Sequence, residues 1–268
     1  MRHPPWHLTG DGFIWLFRFP RGFVERCGFM ADWQRAHLQD ALGAVMLVNY
    51  HETSAGPYHE LLFIPGRLRL MGRRLFSISK IYVSTEASMR GGIENWGIPK
   101  ECAAFAREQH ANSSVSYRAM CPGRVFFDAT LAPFGPRFPI SSALVPLAVA
   151  QARNDDLLIT RPTARGTARL CRMRELKVEP AFFPDITACR PLVVIAVERF
   201  RMTFPAAGGG AGIFHQNRAR CCRCAGGRLS LRQAVDRNRR AHATNAFSTS
   251  RSWSRASGSV SAPSASNF

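Results

Sequence analysis

Lysine is almost missing from this sequence. Of 36 basic residues only Lys80, Lys100 and Lys177 are lysines, against thirty-three arginines. That ratio reads as a compositional bias, and it excludes charge alone as the reason for any lysine that remains. Long apolar runs are missing too: none approaches the roughly eighteen residues of a membrane-spanning helix. The opening MRHPPWHLTGDG also lacks the apolar segment and small-residue cleavage site of a secretory signal. A soluble cytoplasmic protein with no membrane partner is expected. Acidic residues are few, 18, which leaves a formal charge of +18. Half of that excess falls in residues 206–268, where ten arginines face the single Asp236. The other half is spread over the first 205 residues without a stripe, so nucleic acid is not the expected partner.

The eight cysteines do not make the disulfide framework of a short secreted chain. Cys27, Cys102, Cys121, Cys171 and Cys189 stand alone and are expected to be reduced, half-buried core residues. Cys221, Cys222 and Cys224, with His215 upstream, sit in low-complexity sequence, and no metal site is expected there.

With 268 residues, 46% of them hydrophobic, the chain can bury a sizeable core. Seven segments are rich in β-branched and aromatic residues: 12–19, 43–50, 58–65, 75–84, 124–131, 168–178 and 191–204. Helical pattern is scarce, with short helices expected over 32–43 and 99–109. Many strands and few helices disfavour a parallel α/β sheet. They predict a mainly β protein, an antiparallel β-barrel or sandwich with a few short helices. After Phe204 the pattern dissolves into Gly, Ala, Ser and Arg, which predicts a β domain over 1–205 and a disordered basic tail over 206–268.

Two stretches carry a resemblance. NYHETSAGPYHELLFIPG (49–66) and KIYVSTEASMRGGIENWGIPKE (80–101) are similar, in motif and order, to the acetoacetate decarboxylase-like family. There a GPYxE strand precedes a GRE…PK segment whose lysine forms a Schiff base with a keto acid. The similarity spans about residues 4–204 and implies a cone-like antiparallel barrel, lyase chemistry without metal or organic cofactor, and assembly into homo-oligomers. It makes Lys100 the reactive amine and Glu60 the proton-transfer or substrate-orienting carboxylate. Tyr58, Arg90, Glu94 and Trp96 become candidates for lining the pocket, Arg90 by pairing with a substrate carboxylate.

The chemistry gives a reason for a lysine here. A primary amine condenses with a ketone to an iminium, which accepts the electron pair left when a carbon–carbon bond breaks. A guanidinium stays protonated and cannot do this. Lacking that role, Lys100 would be a solvated residue in the first turn of a helix after Pro99. The amine must also be neutral when it attacks, although a free lysine titrates near 10.4. An apolar wall or a neighbouring cation lowers that value, and acetoacetate decarboxylase is itself the standard example. Here Trp96, Ile98 and Pro99 could supply the wall.

The sequence departs from the family at four places. Glu101 stands where a second lysine follows the first, Met46 near a second acid, Gly10 near an amino-terminal arginine, and Ile93 at the arginine of GRE. Strand alternation turns His59 away from Tyr58 and Glu60. Glu101 would oppose the chemistry if it pointed into the site; the alternative, since adjacent side chains diverge, is an outward Glu101. Lys80, grouped by alternation with Phe76, Ile78 and Tyr82, could enter the barrel and repel the Lys100 ammonium. The expected function is a Schiff-base lyase, a decarboxylase or aldolase type, acting on a small β-keto acid or related carbonyl compound. A non-catalytic relative that binds an apolar small molecule is the alternative.

Overall fold

The computed structural model describes residues 3–144, 147–154 and 156–210. The expected tail from residue 211 onward, with His215 and Cys221, Cys222 and Cys224, lies outside the described residues.

The chain opens with β1 (Trp6–Arg18), two short helices, α1 (Arg21–Cys27) and α2 (Asp32–His37), and the strands β2 (Leu38–Asp40), β3 (Leu42–Glu52) and β4 (Tyr58–Ile64). β5 (Arg67–Leu70), β6 (Arg73–Phe76) and β7 (Lys80–Val83) lead to α3 (Glu86–Trp96). β8 (Lys100–Cys102), β9 (Ala104–Gln109), β10 (Val115–Cys121) and β11 (Arg124–Ser141) follow. The remainder is β12 (Val149–Arg153), β13 (Asp156–Thr160), β14 (Thr163–Val178), a 3-10 turn at Ile186–Ala188, β15 (Val193–Phe204) and β16 (Gly208–Gly210).

Ten strands form one sheet in the order β8, β7, β4, β3, β1, β15, β14, β11, β10, β9. Every neighbouring pair is antiparallel except β7 and β8. In a flat sheet β4 and β9 would lie on the order of 30 Å apart. Instead His59 of β4 stacks on Phe105 of β9 with ring centroids 5.8 Å apart, and Tyr82 of β7 meets Phe126 of β11 at 4.6 Å. The sheet therefore curls into a nearly closed barrel, the mainly β architecture expected from the sequence. The barrel fills with aromatic and aliphatic side chains, among them Phe13, Trp15, Leu61, Phe63, Tyr117 and Phe127.

A second, six-stranded sheet runs β16, β13, β12, β6, β5, β2. A second apolar cluster draws Leu62, Ile64, Ile81 and Trp96 from β4, β7 and α3 together with Ile78, Phe76 and Val149. β4 serves both clusters. Leu61 and Phe63 enter the barrel, while Tyr58, Leu62 and Ile64 face the other way, which is why YHELLFI reads as a nearly unbroken apolar run.

Four local expectations need correction. Residues 99–109 form β8 and β9 rather than a helix, because β8 pairs in parallel with β7 and β9 pairs with β10. Those ladders override the alanine-rich helical propensity of the segment. The helix expected over 32–43 ends at His37, and Leu38–Asp40 joins β5. A helix that was not expected, α3, is held by its ends. Thr85 Oγ1 accepts from the Ser88 N–H at 3.3 Å, and Gly97, at φ 65°, donates back to the last turn. Finally, Cys27 and Cys102 are exposed rather than half-buried; these two and Cys121, Cys171 and Cys189 are all free thiols. Beyond residue 205, Gly208–Gly210 pairs with β13.

Candidate active site

Lys100 begins β8 with its side chain turned into the second apolar cluster, 7% exposed. The register explains its neighbours. Lys100 pairs with Ile81 on β7, and Glu60 on β4 pairs with Val83, so both side chains emerge on the same face with one strand between them. Lys100 Nζ donates to Glu60 Oε2 at 2.9 Å and to Ser88 Oγ at 3.1 Å. Glu60 is 4% exposed, and its other oxygen, Oε1, accepts from Tyr50 OH at 3.2 Å. The Tyr58 ring lies 5.1 Å from Lys100 Nζ and 4.6 Å from the Tyr50 ring. Each charge therefore has a counter-charge and at least one neutral hydrogen-bond partner, the condition under which a buried ion pair persists.

Around this group lies a cavity of about 130 Å³. Its wall includes Trp6, Leu8, Met46, Ile78, Trp96 and Phe204, and Lys100 and Glu60 are the only charged residues among those described there. Trp96 is fixed edge-on between Trp6 and Phe204, and its Nε1 donates to the Pro205 carbonyl at 2.7 Å.

Burial pulls the Lys100 ammonium toward a lower pKa, but the Glu60 carboxylate and then Tyr58 outweigh it, and the net direction is upward from 10.5. The resting amine is an ammonium. Burial raises Tyr50 well above 10.0, reinforced by Glu60, and burial pushes Tyr58 up to about 12 against the opposing pull of Lys100. All three groups hold their proton more tightly in the folded chain than in the unfolded one. Their stabilising contribution is complete below about pH 10 and is lost as the pH climbs through the raised folded values. Urea midpoints should stay level up to about pH 9.5 and fall above about pH 10, with a shallower fall in Tyr58→Phe.

Of the expected pocket residues, Lys100, Glu60, Tyr58 and Trp96 come together. Arg90 and Glu94 do not. Both lie on the exposed face of α3, where Arg90 pairs with Glu86 one turn back at 2.5 Å and the Glu94 carbonyl accepts from Arg153. The helix turns those positions outward while Ser88, Gly92 and Trp96 face in.

Lys80 keeps the expected side with Tyr82 but shares it neither with Phe76 and Ile78 nor with Lys100. It sits across the sheet from Lys100, over the rings of Phe29 and Tyr82, with Nζ 2.6 Å from Glu101 Oε1. Glu101 thus points away from the cavity and is neutralised. His59 likewise faces Phe105 and Tyr117, opposite Glu60. At Gly10 a Cβ would meet the Asn49 carbonyl oxygen at 2.3 Å, so no arginine fits in that backbone conformation.

Tyr50, Ser88 and Gly92 were not singled out in the sequence. Tyr50 could have been found from strand alternation, since it shares a face with Met46 and Val48. Ser88 and Gly92 could not, because their helix was not expected. Gly92 matters sterically: a Cβ there would lie 2.5 Å from Lys100 Cδ and 2.7 Å from Cε. Alanine normally stabilises a helix over glycine by about 1 kcal/mol, yet overpacking costs about 1–3 kcal/mol, and here the obstructed atoms belong to the middle of a buried side chain. Gly92→Ala should displace Nζ from Glu60 and break the buried pair, read as a lower urea midpoint.

Among the described residues no group of three His, Cys, Asp or Glu side chains is placed to hold a metal ion. No helix among them is long and apolar enough to cross a membrane.

Comparison with known proteins agrees with this picture. The family model described as acetoacetate decarboxylase matches residues 36–150, a span that includes Tyr50, Glu60, Ser88 and Lys100. No curated protein matches the chain in sequence. Among solved structures, an acetoacetate decarboxylase from Legionella pneumophila is 15% identical and superposes with a TM-score of 0.62 over 79% of this chain and 89% of that one. An acetoacetate decarboxylase-like enzyme from Sphingomonas wittichii RW1 is 12% identical, TM-score 0.59, over 80% and 95%. The enduracididine biosynthesis enzyme MppR, complexed with the condensation product of pyruvate and imidazole 4-carboxaldehyde, is 16% identical, TM-score 0.56, over 78% and 90%. The resemblance of the sequence to the acetoacetate decarboxylase-like family is thereby borne out, by the family match across residues 36–150 and by a fold shared over about four-fifths of the chain.

Proposed function

We propose that this protein is a Schiff-base-forming lyase, in which Lys100 condenses with the carbonyl group of a β-keto acid or related carbonyl compound. The observation that carries the reading is the 2.9 Å contact between Lys100 Nζ and Glu60 Oε2 inside an apolar cavity. An ammonium cannot attack, so one proton must leave before reaction. Glu60 is its acceptor: in a dry site an ion pair and the neutral amine–carboxylic acid pair differ by far less than in water, because neutralisation removes two buried charges at once.

The freed amine then adds to the carbonyl carbon, and the oxygen leaves as water, taking up the proton held by Glu60 together with one from the nitrogen. The product is a protonated imine beside the Glu60 carboxylate, with charge conserved. The iminium accepts the electron pair released when carbon dioxide departs or an aldol bond breaks, a water molecule returns a proton to carbon, and its hydroxide adds to the resulting iminium carbon, whose C–N bond then breaks to free the product ketone and the amine. Tyr50 holds Oε1 and Ser88 holds the ammonium, so both reacting groups are oriented before substrate enters. Structural neighbours that include a decarboxylase and an enzyme complexed with the condensation product of pyruvate and imidazole 4-carboxaldehyde support the breadth of this reading.

The net upward shift at Lys100 favours a second reading, a binding protein whose ammonium stays protonated and forms no adduct. Borohydride reduction in the presence of acetoacetate separates the two. The lyase reading expects a mass increase on the peptide containing Lys100 and none in Lys100→Arg. With only three lysines in the chain the assignment is unambiguous. An unmodified Lys100, or label confined to Lys80 or Lys177, overturns it.

A further inference from the structure

We infer that the carbonyl compound taken by this site bears an alkyl chain of about five or six carbons, or an aryl ring of that size, in place of the methyl group of acetoacetate. This rests on the reading of Lys100 as the reacting amine and names the class of substrate for it.

Apart from Lys100 and Glu60, which occupy each other, the polar groups reaching the cavity are the hydroxyls of Tyr50 and Tyr58 at the same end. Leu8, Met46, Leu62, Ile64, Ile78 and Val149 line the rest. A substrate with hydroxyls or a second carboxylate along its length would bury them without partners, at a cost of several kcal per mole of group in general. Met46 stands in the wall where the family resemblance would place an acid, and leaves it without charge. The volume points the same way. An apolar cavity of about 150 Å³ accommodates benzene, and this one is about 130 Å³. A methyl group would leave most of it unfilled, forfeiting both transfer and packing energy.

A series of methyl ketones, acetone through 2-heptanone and then 2-undecanone, tests this on the full-length protein. Two readouts are followed: borohydride trapping at Lys100, and quenching of tryptophan fluorescence, to which Trp6 and Trp96 in the wall contribute. Half-saturation should fall about fourfold per added methylene, roughly 250-fold over the four steps to 2-heptanone. It should stop improving at 2-undecanone, whose chain exceeds the cavity. Equal half-saturation for acetone and 2-heptanone in both readouts overturns the inference, while trapping of any ketone leaves the lyase reading standing. Fluorescence that keeps the chain-length dependence, matched by 2-heptanol, with no trapping at all, supports an apolar ligand and sinks the lyase reading instead.

Discussion

Lys100→Met should abolish borohydride trapping and lower any turnover on the order of 10³-fold or more, because no other group in the cavity can form an imine. The same substitution should also destabilise the fold, for a separate reason. Methionine matches the lysine stem in volume, so packing changes little. Glu60, however, loses its counter-charge in a site with a single remaining donor, Tyr50 OH. Breaking a buried pair from one side typically costs about 3–5 kcal/mol. Removing both charges together, in Lys100→Met with Glu60→Met, should restore stability to the wild-type level or exceed it by about 1–4 kcal/mol while leaving the protein inactive. Urea unfolding of the four proteins in this double-mutant cycle measures the coupling. If the single Lys100 variant were as stable as wild type, the pair would be solvated and the proton-transfer scheme would lose its basis.

Glu60→Gln is expected to slow turnover about 10²–10⁴-fold, the usual contribution of a positioned proton acceptor, yet to make the amine itself more reactive. The carboxylate is the main influence raising the Lys100 pKa, and burial is the opposing and largest one. With the carboxylate replaced by an amide, burial dominates and the ammonium's pKa moves below its ordinary 10.5. Labelling of Lys100 by a small amine-directed reagent such as cyanate should therefore be faster at pH 7 in the variant than in wild type, and its pH midpoint should move to lower pH. A merely structural Glu60 would slow turnover without moving that midpoint. Opposite changes in turnover and labelling distinguish a proton acceptor from a packing residue.

The mainly β architecture was legible from the spacing of its β-branched and aromatic runs, and β4 in particular from its apolar stretch, while the choice of barrel over sandwich came only with the family resemblance. Lys100 stood out because arginine had displaced nearly every other lysine. The local errors have definite physical causes. PKECAAFAREQ has the composition of a helix, but its pairing partners lie elsewhere in the chain, on β7 and β10, and a window of eleven residues does not contain them. α3 was hidden by Gly91 and Gly92, which weaken a helix and are present because Trp6 and the Lys100 stem press against it. Lys80 was grouped with the wrong neighbours, Phe76 and Ile78, because 75–84 was counted as one strand. The chain breaks pairing at 77–79 between β6 and β7, so alternation changes phase there: Ile78 faces the cavity and Lys80 does not. Arg90 and Glu94 followed from motif similarity, which carries no information on which way a helix is rotated.

β8 is three residues long and carries opposite charges on consecutive side chains, Lys100 inward and Glu101 outward. A slip of one position against β7 would exchange them, bringing an acid into the apolar chamber and stranding the amine outside. Loss of one codon in the turn ahead of this strand could thus silence the chemistry while leaving composition, barrel and cavity almost untouched. A descendant altered in that way would still look like its parent to any comparison of overall shape.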